Sequence, residues 1–419
     1  MRWSSGLPSC RLFGTSGPIQ PAEAGAQLQC SPQDTEYGCM TKVEGPSKRP
    51  GRFTLAVDKQ PRDVRLPEHL GRRGGERIPW LHTGMNGASP IMEPATSELV
   101  MESATSDIVR EWAPDPSVLP DWFTEALAVP REEGFVTVDG VRMHYFRWGN
   151  PAAPPVLMTH GFLSHARCFA FIAPFLAADY HLVAYDLSGM GDSEVRPDCD
   201  MTARGREMIG IAKALGLFGQ ASKPIVVAHS FGSAVALRAL ELAPDAFGGA
   251  AICDMMILRP SALEEYWSMG RTSPGSGDPN RPHRRYPDFP SARKRYVLSP
   301  PQPVGEPFLM DYMAYHALCR EGIDWTWKFS PAVFKRDNSH RLWLEIGPRV
   351  VAAPGRRAII HGAESQLFTS DSRRYLDELG GGDIPVIAVP EARHHLMLDQ
   401  PLAFAAALRA VLEQWSKSD

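Results

Sequence analysis

The stretch that decides the fold is Ile225-Val-Val-Ala-His229-Ser230-Phe231-Gly232: a short apolar run, a serine, and then a helical pattern that continues to Leu242. Small residues, Ala228 and Gly232, stand two positions to either side of the serine. A sharp turn from strand into helix strains the backbone of the residue at its apex. It also brings strand and helix so close that only small flanking residues fit, and it leaves the apical side chain standing above the sheet. This is a nucleophile elbow, with Ser230 as the candidate nucleophile.

The pattern around the elbow is regular. Upstream, residues 135–138 and 141–146 alternate around Asp139-Gly140, a dipeptide that tolerates positive φ, and read as a hairpin. Strands are expected at 156–159 and 181–185, with helices near 164–177 and 201–215; after the elbow an apolar run follows at 250–253. Strands at 357–360 and 384–389 and helices near 372–379 and 402–415 close the chain. Short continuous apolar runs alternating with amphipathic helices indicate an α/β fold, a mostly parallel sheet covered by helices on both faces. The alternation lapses at 258–348, which is rich in proline and aromatic residues. The expected organisation is a core at 116–257 and 349–419 with a mainly helical lid, 258–348, inserted over the C-terminal sheet edge, where open α/β sheets bind ligands.

Three further loops at strand ends carry motifs: His160-Gly161-Phe162; Asp186-Leu-Ser-Gly189-Met-Gly191-Asp-Ser193; and Pro390-Glu-Ala-Arg-His394-His395-Leu-Met-Leu-Asp399-Gln-Pro401. With the elbow, they make the chain resemble the α/β-hydrolase superfamily from about residue 134 to its end, and within it uncharacterised bacterial-type hydrolases. The resemblance implies that the backbone N–H groups of Phe162 and Phe231 form an oxyanion hole, and that the Asp186 turn is structural. It also implies that His394 rather than His395 is the general base, because the family places an acid five and a proline seven residues after it. Ala228 replaces the usual first glycine of the elbow, and Arg393 the glycine before the base. Adjacent histidine side chains diverge and no third ligand accompanies them, so neither a metal nor a cofactor is expected.

The third member of a triad is ambiguous. The usual position, after the strand at 357–360, reads Gly362-Ala-Glu364-Ser365, with Ser365 where the aspartate belongs. The acid is then Asp254, at the end of the preceding strand and 24 residues after Ser230, or Glu364, or another carboxylate such as Asp371. A serine at the elbow decides against dehalogenases and epoxide hydrolases, which use a carboxylate there. The implied activity is acyl transfer to water from a small or medium, largely apolar ester, thioester or lactone. Hydrolysis of a carbon–carbon bond in a β-diketone and ligand binding without turnover are the alternatives.

In the lid, Trp267, Tyr312, Trp325 and Trp327 are candidates to line an apolar substrate pocket, while Arg281, Arg284, Arg285, Arg293, Lys294 and Arg295 make its first part basic and read best as a solvated face. A net charge of -4, from 44 Lys+Arg against 48 Asp+Glu, gives no reason to expect a nucleic-acid partner; a small-molecule substrate is expected. Seven widely spaced cysteines without a CxxC pair suit reduced thiols in a cytoplasm. No apolar run approaches a membrane span. Residues 1–115, dominated by Gly, Pro, Ser and charge, read as a poorly ordered extension, with catalysis not expected to need residues before about Ser117.

Overall fold

The computed structural model describes residues 119–269, 277–334 and 339–416; the expectations for residues 1–115 lie outside them. The described chain begins with helix α1 (Asp121–Ala128). Its Phe123 is fully buried, with ring centroids 5.6 Å from Phe171, 5.0 Å from Phe308 and 5.5 Å from Tyr312. The expected hairpin follows as β1 (Glu132–Val138) and β2 (Val141–Trp148). Asp139 and Gly140 both take positive φ, 49° and 76°, as a two-residue turn matched to strand twist requires.

Strands β3 (Pro155–Thr159), β4 (His181–Tyr185), β5 (Ile225–His229), β6 (Gly249–Cys253), β9 (Arg356–Gly362) and β10 (Val386–Val389) complete an eight-stranded sheet of order β1-β2-β4-β3-β5-β6-β9-β10. It is parallel from β4 to β10, with β1 and β2 antiparallel at one edge. Strands β3, β4 and β6 are buried throughout because both faces are covered. Helices α2 (Met201–Ala214) and α3 (Phe231–Leu242) pack with α7 (Ser339–Ala352) and α8 (Ser370–Glu378) on one face, where Val226 and Ala228 of β5 point. Val227 points to the other face, shared by α1, α6 (Pro307–Ala317), α9 (Leu396–Asp399) and α10 (Pro401–Ser416).

The helix expected near 164–177 is instead two short 3-10 turns, Ala166–Phe169 and Ala173–Phe175. Pro174 supplies no N–H and disfavours helical backbone before it, and the Ala166 N–H is drawn away to the Asp186 carboxylate at 2.6 Å.

Between β6 and β9 the chain forms α4 (Pro260–Ser268), α5 (Phe289–Arg293), α6, the hairpin β7 (Leu318–Glu321) and β8 (Asp324–Trp327), and α7. Helix α7 runs through residue 348, and its Trp343, Ile346 and Val350 belong to the core layer beside α3. A helix of the core face thus spans the lid boundary expected from the sequence, because Pro348 lies inside it rather than ending it.

Candidate active site

Ser230 stands between β5 and α3 with φ 53° and ψ −121°, the strained conformation that its setting demands. Its N–H donates to Cys253 O of the neighbouring strand at 2.8 Å. A Cβ on Gly232 would lie 2.6 Å from His160 O, and one on Gly161 would lie 3.2 Å from Ser230 Cβ. The elbow and the His160-Gly161-Phe162 loop therefore touch, and at position 232 the approach leaves no room for a side chain. Phe231 opens α3, so its N–H has no acceptor within the helix. No described residue accepts a hydrogen bond from the N–H of Phe162 or of Phe231. Their rings meet edge to face at 5.2 Å.

The loop bearing Phe162 is fastened through His160. Leu187 N–H donates to His160 Nε2 at 3.0 Å, so Nε2 is the unprotonated nitrogen and Nδ1–H donates to Gly161 O at 2.7 Å. Burial holds His160 neutral by lowering its pKa.

One step further out, the Asp186 turn is fixed by a buried charge network. Asp186 accepts N–H groups from Ala166 and Asp192 and lies 2.8 Å from His144 Nδ1, while His144 Nε2 is 3.1 Å from Glu133, which also meets Arg167 at 2.6 Å. Burial alone would depress the His144 pKa, but the hydrogen bonds that its imidazolium donates to Asp186 and Glu133 outweigh it and raise the value to about 9. The stabilisation from this charged imidazole is complete below the unfolded value near 6.5 and is lost as pH rises through about 9. Its expected size is on the order of 3 kcal/mol, at about 1.4 kcal/mol per pKa unit. Denaturant unfolding of the natural chain and His144→Asn from about pH 6.5 to 10 should show the stability gap narrowing across that window; a gap independent of pH would refute the assignment.

Asp254, at the end of β6, is wholly buried and takes φ 42°, a left-handed conformation that Asp tolerates better than most residues. His394 Nδ1 lies 2.9 Å from Asp254 Oδ1. A carboxylate only accepts, so Nδ1 carries a proton, and in the neutral imidazole Nε2 is the open nitrogen, the tautomer a general base requires. The same carboxylate accepts the Ser365 hydroxyl at 2.7 Å and the Gly362 N–H at 2.8 Å. Ser365, at the position where the family usually carries its acid, is instead a donor to Asp254 at the end of the neighbouring strand.

The other candidate acids are engaged elsewhere. Glu364 pairs with Arg393 at 2.6 Å and is about half exposed, and Asp371 pairs with Arg259 at 2.9 Å. The structure brings Asp254, not Glu364, to His394.

Sequence reasoning missed two neighbours of this pair. His229 donates from Nε2 to His394 O at 2.9 Å, which ties the residue before Ser230 to the loop that bears His394. Burial above all holds its pKa down at about 3, so His229 is a neutral strut. Its only sequence signal is its place beside the serine. Ser365 registered as a missing aspartate, with no sign that its hydroxyl would reach across strands.

The four aromatic candidates separate. Tyr312 is buried against Phe123 and Phe171, and Trp325 against Phe289 and Tyr315, so both are used in packing rather than offered to a substrate. Trp327 lines a cavity of about 210 Å³ beside Leu163, Tyr296 and Phe329, next to the Phe162 loop. Trp267 packs, partly buried, at the layer that includes Phe162 and Phe334. The described cysteines, Cys168, Cys199, Cys253 and Cys319, are free thiols. Among the described residues no helix is long and apolar enough to cross a membrane.

Fold and site together define an α/β hydrolase. Residues 156–407 match the model of the alpha/beta hydrolase family, and the chain belongs to that family. It is similar to an uncharacterised hydrolase, YugF, of Bacillus subtilis: 34% identity over 26% of this chain, a match that spans only 40% of that relative. A longer match, 24% identity over 66% of this chain and 95% of the relative, is to epoxide hydrolase A of Mycobacterium tuberculosis. Among solved structures, a thioesterase domain from the curacin biosynthetic pathway aligns with a TM-score of 0.52 at 19% identity, covering 66% of this chain and 98% of that one. An esterase from Mycobacterium tuberculosis aligns with a TM-score of 0.52 at 20% identity, covering 69% and 95%. The chain is a hydrolase of this family; the solved structures establish the shared fold.

Proposed function

We propose that the chain is a serine hydrolase that cleaves a small or medium, largely apolar ester, thioester or lactone through an acyl-enzyme on Ser230. The observation that carries this reading is the 2.9 Å contact between His394 Nδ1 and buried Asp254, which directs the free Nε2 to base catalysis. Ser230 Oγ attacks the carbonyl as His394 takes its proton, and the N–H groups of Phe162 and Phe231 receive the oxyanion. His394 then protonates the leaving group, and water, deprotonated by His394 in turn, releases the acid. A serine at the elbow argues against epoxide opening, the reaction named for one relative, because that chemistry forms an alkyl ester on a carboxylate.

An apolar acyl group is supported by the aromatic surroundings of the oxyanion loop. Phe162 lies 5.7 Å from Phe334, which lies 5.9 Å from Phe329. In this reading the segment between β6 and α7 acts as the cap, with Trp327 in the cavity wall beside Leu163 the aromatic group placed to meet substrate.

A fluorophosphonate probe tests the reading directly, since only an activated serine reacts readily. Covalent labelling at Ser230, suppressed by His394→Ala, is the expected result. An unlabelled but folded protein would instead support a fold that binds ligands without turnover.

A further inference from the structure

One residue of the inserted segment, Gln302, bonds the loop that bears His394 at two points. Gln302, between α5 and α6, donates from Nε2 to both Asp399 oxygens, each at 2.9 Å, and accepts the His395 N–H on Oε1 at 3.1 Å. Asp399 in turn accepts the Arg393 N–H on Oδ2 at 2.6 Å. The backbone amides on both sides of His394 therefore end on one hydrogen-bonded unit, the first on Asp399 and the second on Gln302. We propose that Gln302 is a positioning residue for the base: it registers the His394 loop against Asp254, so that the inserted segment must be seated for the site to align.

The two halves of the His394–Asp254 pair are mounted differently. Asp254 is fixed at the end of β6 by donors from Gly362 and Ser365. His394 rides on the loop between β10 and α9, and His229 holds only its carbonyl. Among the described residues the ionisable groups facing the imidazole are Asp254 from β6, His229 from β5 and its neighbour His395. Burial above all keeps both neighbouring histidines neutral. Gln302 carries no charge either, so it acts through geometry. A misplacement of about 1 Å in such a site costs on the order of a hundredfold in rate.

This inference rests on His394 being the base of the proposed reaction. The test compares the full natural chain with Gln302→Met, which keeps the length but neither bonds Asp399 nor accepts from His395, and with Gln302→Glu. For a p-nitrophenyl ester, Gln302→Met is expected to lower kcat roughly ten- to a hundredfold with KM changed less than about twofold. Gln302→Glu sets a carboxylate against Asp399. Its kcat relative to the natural chain should recover as pH falls from about 8 to about 6, where one proton shared by the two carboxylates restores the missing donor.

A kcat for Gln302→Met within twofold of the natural chain, or a loss that tracks the unfolded fraction in a thermal melt, would overturn the inference alone. A natural chain that fluorophosphonate does not label at Ser230 would overturn the serine-hydrolase reading and take this inference with it.

Discussion

Ser230→Ala is expected to lower kcat for a p-nitrophenyl ester by roughly four to six orders of magnitude while moving the thermal midpoint by no more than about 2 °C. The two halves of this expectation have separate causes. The Ser230 hydroxyl makes no capping bond to α3, and the backbone is held by its own N–H donating to Cys253 O. Alanine has the same Cβ and bears the same strain at φ 53°, so folding loses little. The reaction loses the atom that forms the acyl bond, and what remains is catalysis by binding and by the oxyanion donors. Turnover within tenfold of the natural chain would rule out a Ser230 acyl-enzyme. A collapse in both rate and melting temperature would show that the hydroxyl is structural.

The parts of this arrangement that were legible in sequence are those imposed by backbone sterics. The elbow shows because its turn favours small residues at 228 and 232, and in the structure what leaves no room for a side chain at Gly232 is His160 O, at the end of the neighbouring strand β3. The hairpin shows because Asp139-Gly140 accepts positive φ, and the sheet because β3, β4 and β6 are apolar on both faces.

What was hidden depends on contacts between residues far apart in the chain. Ser365 reaches Asp254 across 111 positions, and Gln302 reaches the His394 loop across more than 90. Neither leaves a local periodicity, since a single polar side chain in a loop looks the same whether it faces water or a partner. The aromatic residues of the inserted segment failed for a related reason. Packing and substrate binding favour the same side chains, and only burial separates Tyr312 and Trp325 from Trp267 and Trp327.

Asp254→Asn and Glu364→Gln should part by about three orders of magnitude or more in kcat, and the reason lies in how many donors converge on Asp254. Oδ1 accepts from His394 Nδ1 and Ser365 Oγ, and Oδ2 from Gly362 N–H. An amide has one oxygen to offer. If that oxygen faces Gly362, the NH₂ faces His394, the imidazole must accept at Nδ1, and its proton moves to Nε2, where the base function is lost; replacing a triad aspartate in this way costs about 10⁴ in kcat. If the oxygen faces His394, the NH₂ opposes the buried Gly362 N–H, and that unsatisfied donor costs about 1–3 kcal/mol of stability. The tautomer and the stability cannot both be kept. Glu364→Gln removes only a half-exposed ion pair with Arg393, worth no more than about 1 kcal/mol, and should leave kcat within about twofold. Steady-state kinetics and thermal melts of the two variants decide the matter: rate lost in Glu364→Gln and kept in Asp254→Asn would mean that His394 turns to Glu364 during turnover, against the bond seen here.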